Sequence, residues 1–201
     1  MTLGWPARLV AGPVGLRPLT RGDATRWAEL RRDNTGWLEP WESSRPPESA
    51  GRTADYRELT RDMIRQGREG RSLPFVVTYD KSMVGQLTVT GITWGSARWA
   101  LMGYWIDQAH AGRGIITTAV AMACDHCFGT MGLHRVEIAI RPENTASLRV
   151  VEKLGFARIG LAPRYLHING MWRDHELFAL TSEDVPDGVL SRLRSRGSAT
   201  A

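Results

Sequence analysis

The residues with the clearest chemical potential are Gly112 and Gly114, placed on either side of Arg113 and followed by an apolar run that starts at Ile115. Upstream, the stretch from Gly103 to Ile106 reads as the end of a buried strand, so the glycines occupy a turn between that strand and a long helix extending towards Phe128. A helix N-terminus presents unpaired backbone N–H groups and the positive end of the helix dipole. Two glycines two residues apart let an anion approach the main chain with no Cβ in the way. The spacing predicts a phosphate site over Gly112 to Thr117. Two common phosphate loops do not fit it: no Lys follows the glycines as in G-x-x-x-x-G-K-[ST], and Thr117 stands where a dinucleotide fingerprint needs a third small residue.

Other reactive side chains are less specific. Cys124 and Cys127 form a C-x-x-C, but they fall in the middle of the helix, where no helix N-terminus lowers a thiol pKa, and no second Cys pair completes four metal ligands. They read as core thiols, and no metal is expected. His110 precedes the glycine loop and reads as a phosphate contact or an exposed residue; His175, beside Arg173 and Asp174, suits a structural polar network or a general base.

These residues sit in a chain of 201 residues, 42% hydrophobic and 23% charged, as in a globular domain with a single core. No apolar run reaches the roughly 18 residues of a membrane helix, and no basic head leads an apolar segment at the N-terminus, so a cytoplasmic protein with no membrane partner is expected. The formal net charge of +5 invites a nucleic-acid reading. All but Lys81 and Lys153 of the 26 basic residues are Arg, scattered among Asp and Glu, so no dedicated nucleic-acid site is expected.

The elements that must position the loop can be read in order. Residues 1–13 form a loose lead-in, 14–181 the domain, and 182–201 a polar tail that is disordered from Arg192. Val14–Leu19 is a strand, and Thr20 or Asp23 caps an amphipathic helix carrying Trp27 and Leu30. Asn34–Pro47 breaks the pattern with Trp37, Leu38, Pro40 and Trp41, whose rings either cap the core or wall an acceptor pocket. A second helix runs from about Arg52 to Gly67 with Thr53 as cap. Leu73–Tyr79, Met83–Trp94 and Ala97–Ile106 form an antiparallel meander. After the long helix come a strand at His134–Ile140, a helix at Asn144–Leu154, and strands Phe156–His167 and Met171–Leu180 joined by Asn169-Gly170, a strong hairpin signal.

Three stretches and the glycine loop carry a resemblance. Ala111-Gly112-Arg113-Gly114-Ile115-Ile116 resembles the pyrophosphate loop of the GNAT family of N-acetyltransferases, written Q/R-x-x-G-x-G/A, with Ala111 and Ile116 departing from it. Leu38-Glu39-Pro40-Trp41, the run Arg141 to Ser147 leading into Lys153-Leu154-Gly155-Phe156, and Asn169 to His175 resemble the family's Rim-type branch of ribosomal-protein N-terminal alanine acetyltransferases. The resemblance covers Leu16 to about Leu180. It implies an α/β (α+β) GNAT fold: a mixed, mostly antiparallel sheet of about seven strands flanked by about four helices, with the fourth and fifth strands splayed to admit acetyl-CoA.

It also implies roles. Tyr104, Trp105 and Ile106 would pair their main chain with the pantetheine amides, backbone N–H groups near Trp105 and Ile106 would face the thioester oxygen, Ala111 to Thr117 would hold the pyrophosphate, and Asn144 would hold the pantetheine, serve as a helix N-cap, or do both. Ser147 resembles a Ser that hydrogen-bonds the departing CoA thiolate. The family's Tyr acid is replaced by Val151 and its Glu base by Ala139, which leaves Glu137, on the same strand face, as a candidate base or a surface ion-pair group. Water could also relay a proton to Glu39, Glu42 or His167. An α-amino group, with a pKa of about 8 against about 10.4 for Lys, offers some hundreds of times more free amine at neutral pH, so a weak base favours an N-terminal acceptor. Trp37, Leu38 and Trp41 would then bind that acceptor. The alternatives are a polyamine or aminoglycoside acceptor and a non-catalytic acetyl-CoA or RNA-binding module; the oligomeric state is open.

Overall fold

Apolar alternation and near-continuous apolar runs draw eight strands into one sheet in a computed structural model that describes residues 4–44, 46 and 55–198. The strands are β1 (Leu9–Ala11), β2 (Val14–Pro18), β3 (Leu73–Tyr79), β4 (Ser82–Thr93), β5 (Trp99–Ile106), β6 (Arg135–Ile140), β7 (Ala157–Ile168) and β8 (Met171–Thr181). The helices among the described residues are α1 (Ala24–Asp33), α2 (Thr35–Leu38), α3 (Tyr56–Arg68), α4 (Ile115–Asp125), α5 (Thr145–Leu154) and α6 (Val189–Ser198). In the sheet the order is β1-β2-β3-β4-β5-β6-β8-β7, antiparallel throughout except at β5–β6. The expected mixed sheet forms, with eight strands in place of about seven and six α-helices in place of about four among the described residues.

The β5–β6 junction decides the architecture. It is joined only at Trp99↔Arg135, Ala100↔Val136 and Leu101↔Glu137. Beyond Leu101, β5 stays on β4 as far as Ile106↔Gly85, and β6 stays on β8 as far as Ile140↔Glu176. The two strands therefore part into a V. This is the splay expected between the fourth and fifth strands of the sequence reading, renumbered by the additional β1.

One face of the sheet packs Phe75, Val77, Met102, Val136 and Ile138 against Ile115, Val120, Leu154 and Val189, under α4, α5 and α6. The other packs Val76 and Met83 against Leu19, Trp27 and Leu30, under α1 and α3. α4 is buried on nearly every side, as its largely apolar composition demands. Asp55 caps α3, its carboxylate accepting from Glu58 N at 2.7 Å; the expected start near Arg52 and its Thr53 cap lie outside the described residues. Among the described residues no helix is long and apolar enough to cross a membrane.

Both ends depart from the sequence reading. The lead-in carries β1, paired with β2 at Leu9↔Leu16, and Trp5 meets the Phe75 ring edge-on at 4.9 Å. Three residues before a Gly-Pro turn are too short to register as a strand by periodicity. The polar tail contains α6, which covers α4 with Val189 and Leu190 and is capped from a distance: the Asp125 carboxylate accepts from Val189 N at 2.6 Å and Leu190 N at 3.1 Å. Asp125→Ala is expected to lower stability by about 1 kcal/mol, a fall in Tm of about 2–4 °C. An unchanged Tm in a thermal melt would contradict that role. The expected break at Asn34–Pro47 also holds more structure than read, namely α2 and a 3-10 turn at Glu39–Trp41.

Candidate active site

The glycine loop has the form its composition requires. Gly112 and Gly114 both have φ +74°, where L side chains are strained, and a Cβ added to either would meet nothing within 4 Å, so the space before the loop is open. Gly114 is the N-cap of α4, whose first turn carries Ile115, Ile116 and Thr117, all buried. Ala111 enters the loop from a 3-10 turn at Gln108–His110. That turn is braced: His110 Nδ1 donates to the Asp107 carboxylate at 2.8 Å, and Gln108 N donates to Asn34 Oδ1 at 2.8 Å. The Arg113 guanidinium lies 4.6 Å from the Tyr79 ring centroid, an anchor for a cation beside the loop.

Beyond Leu101 the β6 side of β5 is an unpaired edge. Asp107 N donates to Val84 O of β4 at 2.8 Å, while Ile106 O accepts from the Trp37 indole at 3.0 Å from the other side. Main-chain groups alternate in direction along a strand, so those of Ile106 and Tyr104 face the V and those of Trp105 face β4. Gly85 permits this approach, because a Cβ there would come within 2.3 Å of Trp105 O. Trp105 is placed differently from its two neighbours. Its ring lies on the far face, 6.2 Å from Trp27, with the Arg31 guanidinium 5.4 Å from both rings.

Across the V, Asn144 caps α5, its Oδ1 accepting from Ser147 N at 3.1 Å. Ser147 is half-buried one turn into the helix, and Val151 is in the core. The Tyr104 hydroxyl is buried with no hydrogen-bond partner among the described residues. Burial pushes its pKa well above the ordinary phenol value, with the Ser147 hydroxyl acting in the opposite direction. Glu137 is not brought to this end: it belongs to the last joined β5–β6 pair and accepts from Arg135 Nε at 2.6 Å. Cys124 and Cys127 are fully buried; desolvation pushes the Cys127 thiol up to about 12, so neither is a nucleophile.

The mouth of the V is bridged by the tryptophan segment. Trp37 fastens it to Ile106 at the end of β5, and Arg141, just past the end of β6, donates from Nη1 to Pro40 O at 2.6 Å with its guanidinium 5.3 Å from the Trp41 ring centroid. Leu38 is buried between these anchors. Ser44 N donates to His167 O at 2.9 Å, and Asn169 N to Glu42 O at 3.2 Å, which join the segment to the β7–β8 hairpin. Glu42 pairs with Arg31, and Glu143 with Arg141 at 3.1 Å. His175 is buried, held neutral by desolvation, and hydrogen-bonded to Arg173 O at 3.1 Å. Arg31, Asn34 and Arg141 are site-building residues that sequence reasoning missed. The only signal was the position of Arg141, directly between a predicted strand and the Pro-Glu-Asn turn.

A profile of the acetyltransferase (GNAT) domain matches residues 14–157. The chain belongs to the GNAT family. It is 30% identical over 184 residues to the ribosomal protein uS5-alanine N-acetyltransferase of Escherichia coli, covering 90% of this chain and 94% of that one. It is 31% identical over 173 residues to the probable N-acetyltransferase YjcK of Bacillus subtilis, covering 85% and 95%. Among solved structures, Mycobacterium smegmatis RimJ in complex with CoA-disulfide superposes with a TM-score of 0.89, 39% identity and 98% of both chains covered. The GNAT assignment makes this protein an N-acetyltransferase with acetyl-CoA as acyl donor.

Proposed function

We propose that this GNAT enzyme acetylates the N-terminal amine of a protein, with ribosomal proteins as its targets, by direct attack of the amine on acetyl-CoA in a ternary complex. One observation carries the choice of acceptor: Glu42 and Glu143 at the mouth of the V are each paired with a nearly buried Arg, which leaves Glu39 as the one exposed carboxylate of the tryptophan segment without an ion pair among the described residues. A polyamine or aminoglycoside, carrying several cations, would need several free carboxylates there. An extended peptide bearing a single amine does not. The activity named for the uS5-alanine relative supports the same reading, and the similar RimJ structure holds CoA as its disulfide.

The residues present fit acetyl-CoA. The open cradle at Gly112 and Gly114 suits the pyrophosphate, the free edge at the Tyr104 main chain and the Ile106 N–H suits the pantetheine amides, the Ile106 carbonyl being taken by the Trp37 indole, and Asn144 keeps its amide N–H donors while its oxygen caps α5. Acetyl-CoA supplies an acetyl group as a thioester. The Ile106 N–H, which faces the V, would donate to the thioester carbonyl oxygen, and the Ser147 hydroxyl would donate to the sulfur as it departs. The new C–N bond replaces the C–S bond, and the amine's surplus proton leaves to water. No strong base is required, because an α-amine is appreciably unprotonated at neutral pH.

Trp41→Ala tests the acceptor side. Its ring lies on Arg141 at the mouth, so peptide KM is expected to rise about tenfold while acetyl-CoA affinity stays at the wild-type value. A lower Tm with unchanged KM in the folded fraction would make the ring scaffold only. The target class is tested by incubating the enzyme and acetyl-CoA with ribosomal proteins from cells lacking the enzyme and sequencing their N-terminal peptides by mass spectrometry. Acetyl groups on α-amines are expected; acetyl groups on Lys side chains alone would overturn the proposal.

A further inference from the structure

Arg141 is fixed to the two walls of the V through different atoms. Its carbonyl accepts from Asn144 N at 2.9 Å, in the turn that sets the Asn144 cap and with it the start of α5. Its side chain crosses the mouth instead: Nη1 donates to Pro40 O at 2.6 Å, the guanidinium lies 5.3 Å from the Trp41 ring centroid, and Nη2 pairs with Glu143 at 3.1 Å. Glu143 is exposed, so that pair contributes little, and the link that matters is the one to Pro40 and Trp41. The other anchors of the tryptophan segment, from Trp37 to Ile106, Glu42 to Asn169 and Ser44 to His167, lie on either side of those two residues. Stability does not account for the choice of Arg. Its Nε–H is buried without a hydrogen-bond partner among the described residues, a destabilising arrangement that a Met of similar length would avoid.

Building on the reading of this mouth as the acceptor slot, we infer that Arg141 is a positioning residue for the acceptor, its guanidinium holding the Pro40–Trp41 wall at a set distance from the turn that opens α5. A peptide lying on the Trp41 ring is then presented to the thioester at a fixed height. The guanidinium suits this task because it is planar and forked: one nitrogen meets the Pro40 carbonyl, another meets Glu143, and the group as a whole lies over the ring. A Lys ammonium is a single point of charge and cannot make these contacts together. The two roles of Arg141 are separable. Changing its side chain removes the tie to the acceptor wall, while the main-chain bond to Asn144, on the cofactor side, is retained.

The experiment is a double-mutant cycle of Arg141→Met and Trp41→Ala, with Arg141→Lys beside it. For each variant kcat and KM are measured with acetyl-CoA and an Ala-starting peptide, CoA affinity by calorimetry, and Tm without ligand. Arg141→Met is expected to raise peptide KM about tenfold with kcat and CoA affinity unchanged, and the double variant to stay near that same tenfold. Arg141→Lys, which keeps the charge and most of the stem, is expected to raise peptide KM as much, and it answers the same question should Arg141→Met not fold. Wild-type peptide KM in the Arg141 variants beside a raised KM in Trp41→Ala would overturn this inference and leave the acceptor slot standing. Single effects that multiply to about a hundredfold in the double variant would overturn it too, because the two residues would then act independently. So would a lower Tm with CoA affinity lost in step with peptide KM, the mark of a merely structural role. Wild-type peptide KM in Trp41→Ala would overturn the reading of the slot itself, and the inference with it.

Discussion

Replacing Ser147 with Ala is expected to lower kcat by about ten- to a thousand-fold while acetyl-CoA affinity stays close to wild type, because the hydroxyl matters most once charge develops on sulfur. The fold should tolerate the change. Ala is the better helix former, and the bond that caps α5 is made by the Ser147 backbone N–H, which the substitution retains. Steady-state kinetics with calorimetry of CoA separate the cases. Equal losses of binding and turnover would make Ser147 a ground-state contact to the cofactor.

Gly114→Val should weaken acetyl-CoA binding by about ten- to a hundred-fold. The position has φ +74°, which a β-branched residue adopts only under strain of about 1–3 kcal/mol, and the new side chain would project into the open space before the loop. Strain alone could lower affinity by loosening the protein, and Gly12→Val controls for it. Gly12 also has positive φ with open space around it, but sits in the β1–β2 turn. Calorimetry should find CoA affinity lowered in Gly114→Val and unchanged in Gly12→Val. Wild-type affinity in Gly114→Val would show that the loop does not hold the pyrophosphate.

What the sequence made legible was whatever depends on local chemistry. Asn169 and Gly170, both with positive φ, turn β7 into β8 as that dipeptide predicts, and the two glycines around Arg113 mark the strand-to-helix turn before α4. The element order followed from such punctuation, whereas the splay of the sheet was implied by the GNAT resemblance. What stayed hidden depends on partners distant in sequence. α6 has few apolar residues and forms because α4 offers an apolar face and Asp125 caps it. Trp37 could be read as core or pocket because nothing in its neighbourhood announces the Ile106 carbonyl, 69 residues away, that its indole binds. Glu137 fits the strand-face pattern of a base, yet Arg135, two residues earlier on that face, takes up its charge.

The central claim is the transfer of acetyl to a peptide α-amine, and one measurement addresses it directly. The enzyme is incubated with acetyl-CoA and, separately, with Ala-, Ser- and Met-starting peptides, the same peptides blocked at the α-amine but carrying Lys, spermidine, and an aminoglycoside, while thiol release is followed. The account predicts rapid thiol release with unblocked peptides, acetyl on their α-amine, and background rates with the blocked peptides and the polycations. Rapid release with spermidine or the aminoglycoside, and none with any peptide, would contradict it.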